Sequence, residues 1–373
     1  MTTSGRRSRE GKRSRPITTM YVRLGERIGD VAAATITNAD NRLVKQVIPA
    51  ALCTVYRIGD KPTVRARSEI TKVVIHTLIG TAEATIKSWE TGRSCFAPHY
   101  VIDKRGEITQ LVAEQFTAIH GESANPYSIG IEHEGGCTNT PTCFSESLYQ
   151  ASSALVRDIC DRNNIPRDRG HIIGHDDVPG TSHGDPGGYW DWDYYMALLK
   201  WDGRTASAKP KRIVLDYNSL FTFPLTGNWK EETRRWVKWS ASHEQSYAFK
   251  YYSAAADPAA KDDDAVQYEG MITDPGTWSL SAWWPVLAGN NREAHINIAT
   301  QSSDPAQRSK SYVFDQSARA LMARSTLALP STHTWMPVDT FTFKAGDGMR
   351  IQVSRRSSKP GKVNADAFRL LKA

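Results

Sequence analysis

A single imidazole interrupts an otherwise apolar run, TKVVIHTLIG, at residues 71–80. The β-branched residues between Lys72 and Gly80 read as a strand buried on both faces, at the centre of a sheet. A polar ring in such a strand must find a partner, and a metal ion is one solution. His76 thus demands a fold that brings other polar groups to this strand. The residues that follow alternate between strand and helix patterns. TAEATIKSWETG (81–92) reads as a helix capped by Thr81 and stopped at Gly92, and HYVIDKRGEITQLV (99–112) as a hairpin. YSIGIEHEGG (127–136) is a strand, and 145–165 has helical spacing behind a Ser145 cap. RGHIIGH (169–175) is a short strand, and WDYYMALLKW (192–201) a last helix. Alternation of this kind predicts an α/β domain, a central mixed sheet flanked by helices.

Seven of the ten histidines lie before residue 184. His175 closes the HIIG strand and opens GHDDVPGTSHGDPGGYWDW, a stretch too rich in Gly and Pro for a regular helix. Such a loop can fold back and aim Asp185 at the ion that His76 and His175 would share. Two imidazoles and one carboxylate suit zinc better than magnesium, and three ligands leave a position open for water. His171, four residues before His175, is a reserve ligand. Glu132 and Glu134 share one face of their strand. A carboxylate beside such a site can act as general base, and two surface carboxylates on an edge strand are the plainer alternative.

The pattern changes after residue 201. DGRTASAKPKR (202–212) is small, polar and basic and reads as a linker. Beyond it, short strand-like runs recur between Gly, Pro, Asn and Asp clusters, with helical periodicity only at 231–239. Residues 213–373 are therefore expected to form an all-β sandwich. A length of 373 residues agrees with two domains. The net charge of +7 suits anionic partners without choosing among them. No motif supports nucleic-acid binding, and no apolar run is long enough to span a membrane. Residues 1–20 carry six Lys and Arg against Glu10 and no apolar segment follows them, so they read as a disordered basic tail without a classical signal peptide. Five cysteines leave open either a Cys137–Cys143 bridge or free thiols.

VVIHT, HYVIDKRGEITQLV, NPYSIGIEHEGG and IIGHDDVPGTSHGDPGGYWDW, taken in order, resemble the zinc-dependent N-acetylmuramoyl-L-alanine amidases of type 2, related to peptidoglycan recognition proteins. The resemblance spans about 70–201 within a domain taken as 21–201. It implies one Zn2+ per chain on His76, His175 and Asp185, and catalysis by Glu132, with Glu134 demoted. It also implies that His183 stands where the family usually carries a Lys that polarises the scissile carbonyl. Ile119-His120 replaces the usual Trp-His, and His99, His120 and Asn125 are implied substrate contacts. The implied activity is cleavage of the amide between N-acetylmuramic acid and L-alanine in peptidoglycan. A recognition protein that binds peptidoglycan without cutting it is the alternative. The second half resembles the golvesin, or Xly-type, wall-binding domain, with Trp278, Trp283, Trp284 and Trp335 either stacking on sugars or filling the core. Expected partners are peptidoglycan and anionic wall polymers, with no nucleic acid. Synthesis in the cytoplasm is expected, with action on the wall after release by a holin, lysis, or a phage-tail-like injection machine. A flexible linker would let residues 1–203 act alone on soluble muropeptides.

Overall fold

The computed structural model describes residues 42–372 apart from 52–53, 56, 59–60, 136–142, 188–189, 202–208, 218, 220, 240–243, 286, 303 and 318–334, with backbone alone at 234–249. The basic tail and Cys137 lie outside the described residues. Six strands form the first sheet: β1 (Gln46–Val47), β2 (Lys72–Thr77), β3 (Tyr100–Ile102), β4 (Ile108–Gln110), β5 (Ser128–His133) and β6 (Ile172–Gly174). Their spatial order is β1-β4-β3-β5-β2-β6. Only β3–β4 is antiparallel, as its tight Lys104–Arg105–Gly106 turn requires; the other pairs are parallel.

β2 has a neighbour on each side, and Val73, Val74 and Ile75 are completely buried. Helix α1 (Ala82–Glu90) starts where the Thr81 hydroxyl accepts the Ala84 N–H, and ends before Gly92 at φ +71°. Helix α2 (Glu146–Asn163) starts at Ser145, whose hydroxyl accepts the Leu148 N–H. α2 buries Leu148, Leu155, Val156 and Ile159 in one core with Tyr194, Leu198 and Leu199 of α3 (Trp192–Lys200). That core packs against Val73, Ile75, Ile129 and Ile131 of the sheet. The expected mixed α/β architecture is present. No described helix is long and apolar enough to cross a membrane.

The second half is antiparallel throughout its described strands, in sheets of five, four and three strands around one apolar core. Lys211 and Arg212, expected in the linker, already belong to strand β7 (Lys211–Leu215). Residues 231–239, with their helical spacing, lie in a strand instead: Lys230–Trp239 pairs along its length with Glu244–Ala255. Trp278, Trp283 and Trp284 are buried, so they fill the core. The Arg369 guanidinium sits over the Trp335 ring at 5.0 Å.

The two halves are tied by buried charge. Asp191 caps α3 by accepting the Tyr194 N–H, and also receives Arg369 Nη1 at 2.5 Å and Arg212 Nη1 at 3.4 Å. The Arg212 guanidinium lies over Tyr149, 4.2 Å from the ring centre, and donates to the Phe144 carbonyl. Leu371 packs against the first domain's core. Any mobility of residues 202–208 therefore does not make the second half a free appendage.

Cys95 and Cys143 are each disulfide-bonded, whereas Cys160 is a buried free thiol.

Candidate active site

Parallel pairing of β2 with β5 sets His76 opposite Glu132, and pairing with β6 brings His175 to the same end of the sheet. Partners in register point to the same face, so the register delivers the imidazole and the carboxylate together. His175 opens a single 3-10 turn at the end of β6. The loop then returns until the Asp185 carbonyl accepts the Asp176 N–H, and the Asp185–Pro186 peptide is cis. Gly174 makes this closure possible, because a Cβ there would fall 2.2 Å from Asp176 Oδ1 and 2.8 Å from Pro186 Cδ. Asp177 holds the loop from beneath, accepting the Gly174 N–H and pairing with Arg169, whose guanidinium lies 3.4 Å over the Trp192 ring.

The loop thereby seats Asp185 against both histidines. His76 Nδ1 lies 3.1 Å from His175 Nδ1 and 3.2 Å from Asp185 Oδ2, and His175 Nδ1 lies 3.0 Å from Asp185 Oδ1. All three side chains are buried. Burial, then the nearby His175, lowers His76 to about 4, so it is neutral with a lone pair to give. Burial pushes the Asp185 carboxyl up, but hydrogen bonds and charge from His175 and His76 outweigh it and hold the group below the carboxylate range.

These three donors fit zinc. A tetrahedral site with bonds of about 2.0 Å has edges of about 3.3 Å, close to the spacing here. A second layer fixes the tautomer. His76 Nε2 lies 3.0 Å from His120 Nδ1, His120 Nε2 lies 3.4 Å from Ser128 Oγ, and Ser128 donates to the Ala124 carbonyl. With Nδ1 of His76 facing the ion site, these contacts assign one proton direction: His76 to His120, then to Ser128, then to Ala124. Gly130 leaves room for the His120 ring, since a Cβ there would fall 2.3 Å from Nδ1. From the other side, His133 Nδ1 donates to the His76 carbonyl, with Ser152 at Nε2.

Glu132 and His183 flank the three donors. Glu132 Oε2 is buried without a hydrogen-bond partner. Burial, and then the charge of Asp185, raises its carboxyl well above the usual range. His183 stacks on His175, with ring centres 4.4 Å apart and planes 15° apart. Its Nδ1 is 3.9 Å from Asp185 Oδ1, and about a third of the side chain is exposed.

The other expected contacts sit elsewhere. His99 is fully buried; its Nδ1 accepts the Gly130 N–H, leaving Nε2–H for the Phe116 carbonyl. Asn125 Oδ1 accepts the His120 and Gly121 N–H groups and is buried. His120 backs His76. All three support the site from behind instead of lining an open substrate surface. Glu134 accepts the Lys104 N–H at the hairpin turn, and His171 pairs with Asp168 at the surface. Arg65, which no motif singles out, is buried and donates to the Glu114 and Asn125 carbonyls, bracing this layer.

The family model described as N-acetylmuramoyl-L-alanine amidase matches residues 66–188. N-acetylmuramoyl-L-alanine amidase A of Achromobacter lyticus is 30% identical over 156 residues, covering 37% of this chain and 88% of that protein. The chain belongs to the N-acetylmuramoyl-L-alanine amidase family. The 1,6-anhydro-N-acetylmuramyl-L-alanine amidase AmpD of Haemophilus influenzae is 32% identical over 111 residues, 27% of this chain and 58% of that protein. Among solved structures, the amidase LysC from Clostridium intestinale matches 38% of this chain and 94% of its own, at 19% identity and a TM-score of 0.29. The Golvesin C-terminal domain model matches residues 213–372, behind the amidase domain.

Proposed function

We propose that this amidase cleaves the amide between N-acetylmuramic acid and L-alanine of peptidoglycan at a zinc site held by His76, His175 and Asp185. Three lone-pair donors facing one another at 3.0–3.2 Å carry this reading, since only a cation relieves such an arrangement. When bound, zinc supplies a Lewis acid and lowers the pKa of water toward about 7. Glu132 takes the proton of the attacking water on its unpartnered oxygen and returns it to the leaving amine. His183 donates a hydrogen bond to the scissile carbonyl oxygen as charge gathers there. His120 and Ser128 keep Nδ1 of His76 free. The second domain holds the enzyme at the wall, where basic surface charge adds affinity for anionic polymers.

The test is mass spectrometry of a defined muropeptide after incubation with the full chain. Release of intact stem peptide with a free L-alanine amine, lost on chelation and regained with zinc, is the expected result. Glu132→Gln should lower kcat by about 10²–10⁴-fold while retaining metal. Binding of muropeptide without cleavage by metal-loaded protein would instead establish a recognition protein.

A further inference from the structure

A second group of donors adjoins the first. Glu122, His175 and His183 each bring one ligand atom within 4.8 Å of the others. His183 Nε2 lies 3.9 Å from Glu122 Oε1. His175 belongs to both groups, with its Nδ1 turned to His76 and Asp185. Its Nε2 is buried without a hydrogen-bond partner, in a residue only 4% exposed. Burying a polar nitrogen without a partner costs free energy, and nothing in the first site uses this atom. Beside it stands an imidazole stacked at 4.4 Å, and beyond that a carboxylate at the surface. Glu122 is held there by a backbone at φ +52°, a left-handed conformation uncommon for a residue with a side chain.

We propose that Glu122, His183 and Nε2 of His175 form a second, weaker divalent-cation site, and that a second zinc ion bound there inhibits the enzyme. The inference rests on the assignment of His76, His175 and Asp185 as the first metal site. Two nitrogens and one oxygen again favour zinc, at higher affinity than magnesium or calcium. The proton on His175 Nε2 leaves to solvent as the ion arrives, so the ring bridges the two ions. The Glu122 carboxylate offsets the added charge. Affinity is lower than at the first site because two of the three ligands are solvent-accessible and a cation already sits across the shared ring. Once bound to the second ion, His183 no longer reaches the carbonyl, and the ion stands at the mouth of the site. Free zinc then acts as substrate-independent brake on hydrolysis.

The experiment is equilibrium dialysis of the full chain against zinc, from substoichiometric to large excess, with metal counted by elemental analysis. Activity is followed in parallel. Wild type should take up one tight equivalent as activity appears, then a weaker equivalent as activity falls. Glu122→Gln should keep the tight equivalent and the basal activity, and shift both weak uptake and inhibition to at least ~10-fold higher zinc. His183→Ala, scored only for metal content, should lose the weak equivalent. His175→Ala should lose both. A single equivalent across the whole range in active wild type overturns the second site and leaves the first intact. No tight equivalent at all overturns the first-site assignment itself. A weak equivalent that survives unchanged in both Glu122→Gln and His183→Ala places that ion elsewhere and also overturns the proposal.

Discussion

His120 makes no contact with the carboxylate of the metal site, yet it decides which nitrogen of His76 is available to a metal. Replacing it with Ala frees the His76 ring to turn and to exchange tautomers. His120→Ala should weaken zinc affinity by about 10–100-fold, as measured by competition with a chromophoric chelator. His183 yields a pH test. An ordinary imidazole titrates near 6.5 and an ammonium near 10.4, so a Lys keeps its proton in the alkaline range where a His loses it. His183→Lys should retain more of its maximal rate at alkaline pH than wild type; superimposable pH–rate profiles would remove His183 from the mechanism. The metal donors were legible because their residue types are costly where they stand: an imidazole inside an apolar strand, and a carboxylate in a Gly/Pro loop. The support behind them was not. Residues 44 and 52 positions from His76 become its neighbours only through the parallel register of β2 and β5. His99, His120 and Asn125 looked like substrate contacts because a motif marks a residue without showing which way it faces.

Strands and helices of the first domain followed their local signals closely, because caps and β-branched runs act over a few residues. Residues 231–239 did not. Their helical spacing lost to ten successive pairings with Glu244–Ala255, long-range bonds that no local window contains. The second domain has its own buried polar problem at a strand junction. Asp366, between Lys362–Ala365 and Ala367–Lys372, is buried with Oδ2 unpartnered. Burial, and then the charge of Asp216, raises its carboxyl well above the ordinary range. The folded state therefore holds this proton more tightly than the unfolded chain. Below the ordinary carboxyl pKa both states are protonated and no penalty exists. As pH rises through that value the unfolded state ionises first, and stability falls. Asp366→Asn keeps the shape, needs no proton, and offers an N–H to Asp216. Its Tm should exceed that of wild type at neutral and alkaline pH, with the gap closing below about pH 4. Parallel melts across that range check the sign.

The largest revision at the scale of the whole molecule is the relation between its halves. A polar stretch at 202–212 suggested independent domains, and charge buried between them lies beyond what composition reveals. Asp191 is 2% exposed and depends on two guanidinium groups from the second domain. Arg369→Met should lower unfolding free energy by about 3–5 kcal/mol, because it strips one partner from a buried pair. Adding Asp191→Asn should recover part of that loss, and urea denaturation of the single and double variants measures both effects. A fragment ending near residue 203 should melt below the full chain, since it also uncovers the ring faces of Tyr149 and Tyr194 on which Arg212 lies. The same pairing bears on how the protein is born. Arg369 lies 178 residues after Asp191. At 5–20 residues per second a ribosome needs roughly 10–40 s to cover that distance. Throughout that interval the catalytic half is already made but lacks its second counter-ion. A nascent chain stalled before Arg369 emerges thus presents an amidase that proteases can open more readily than the finished one.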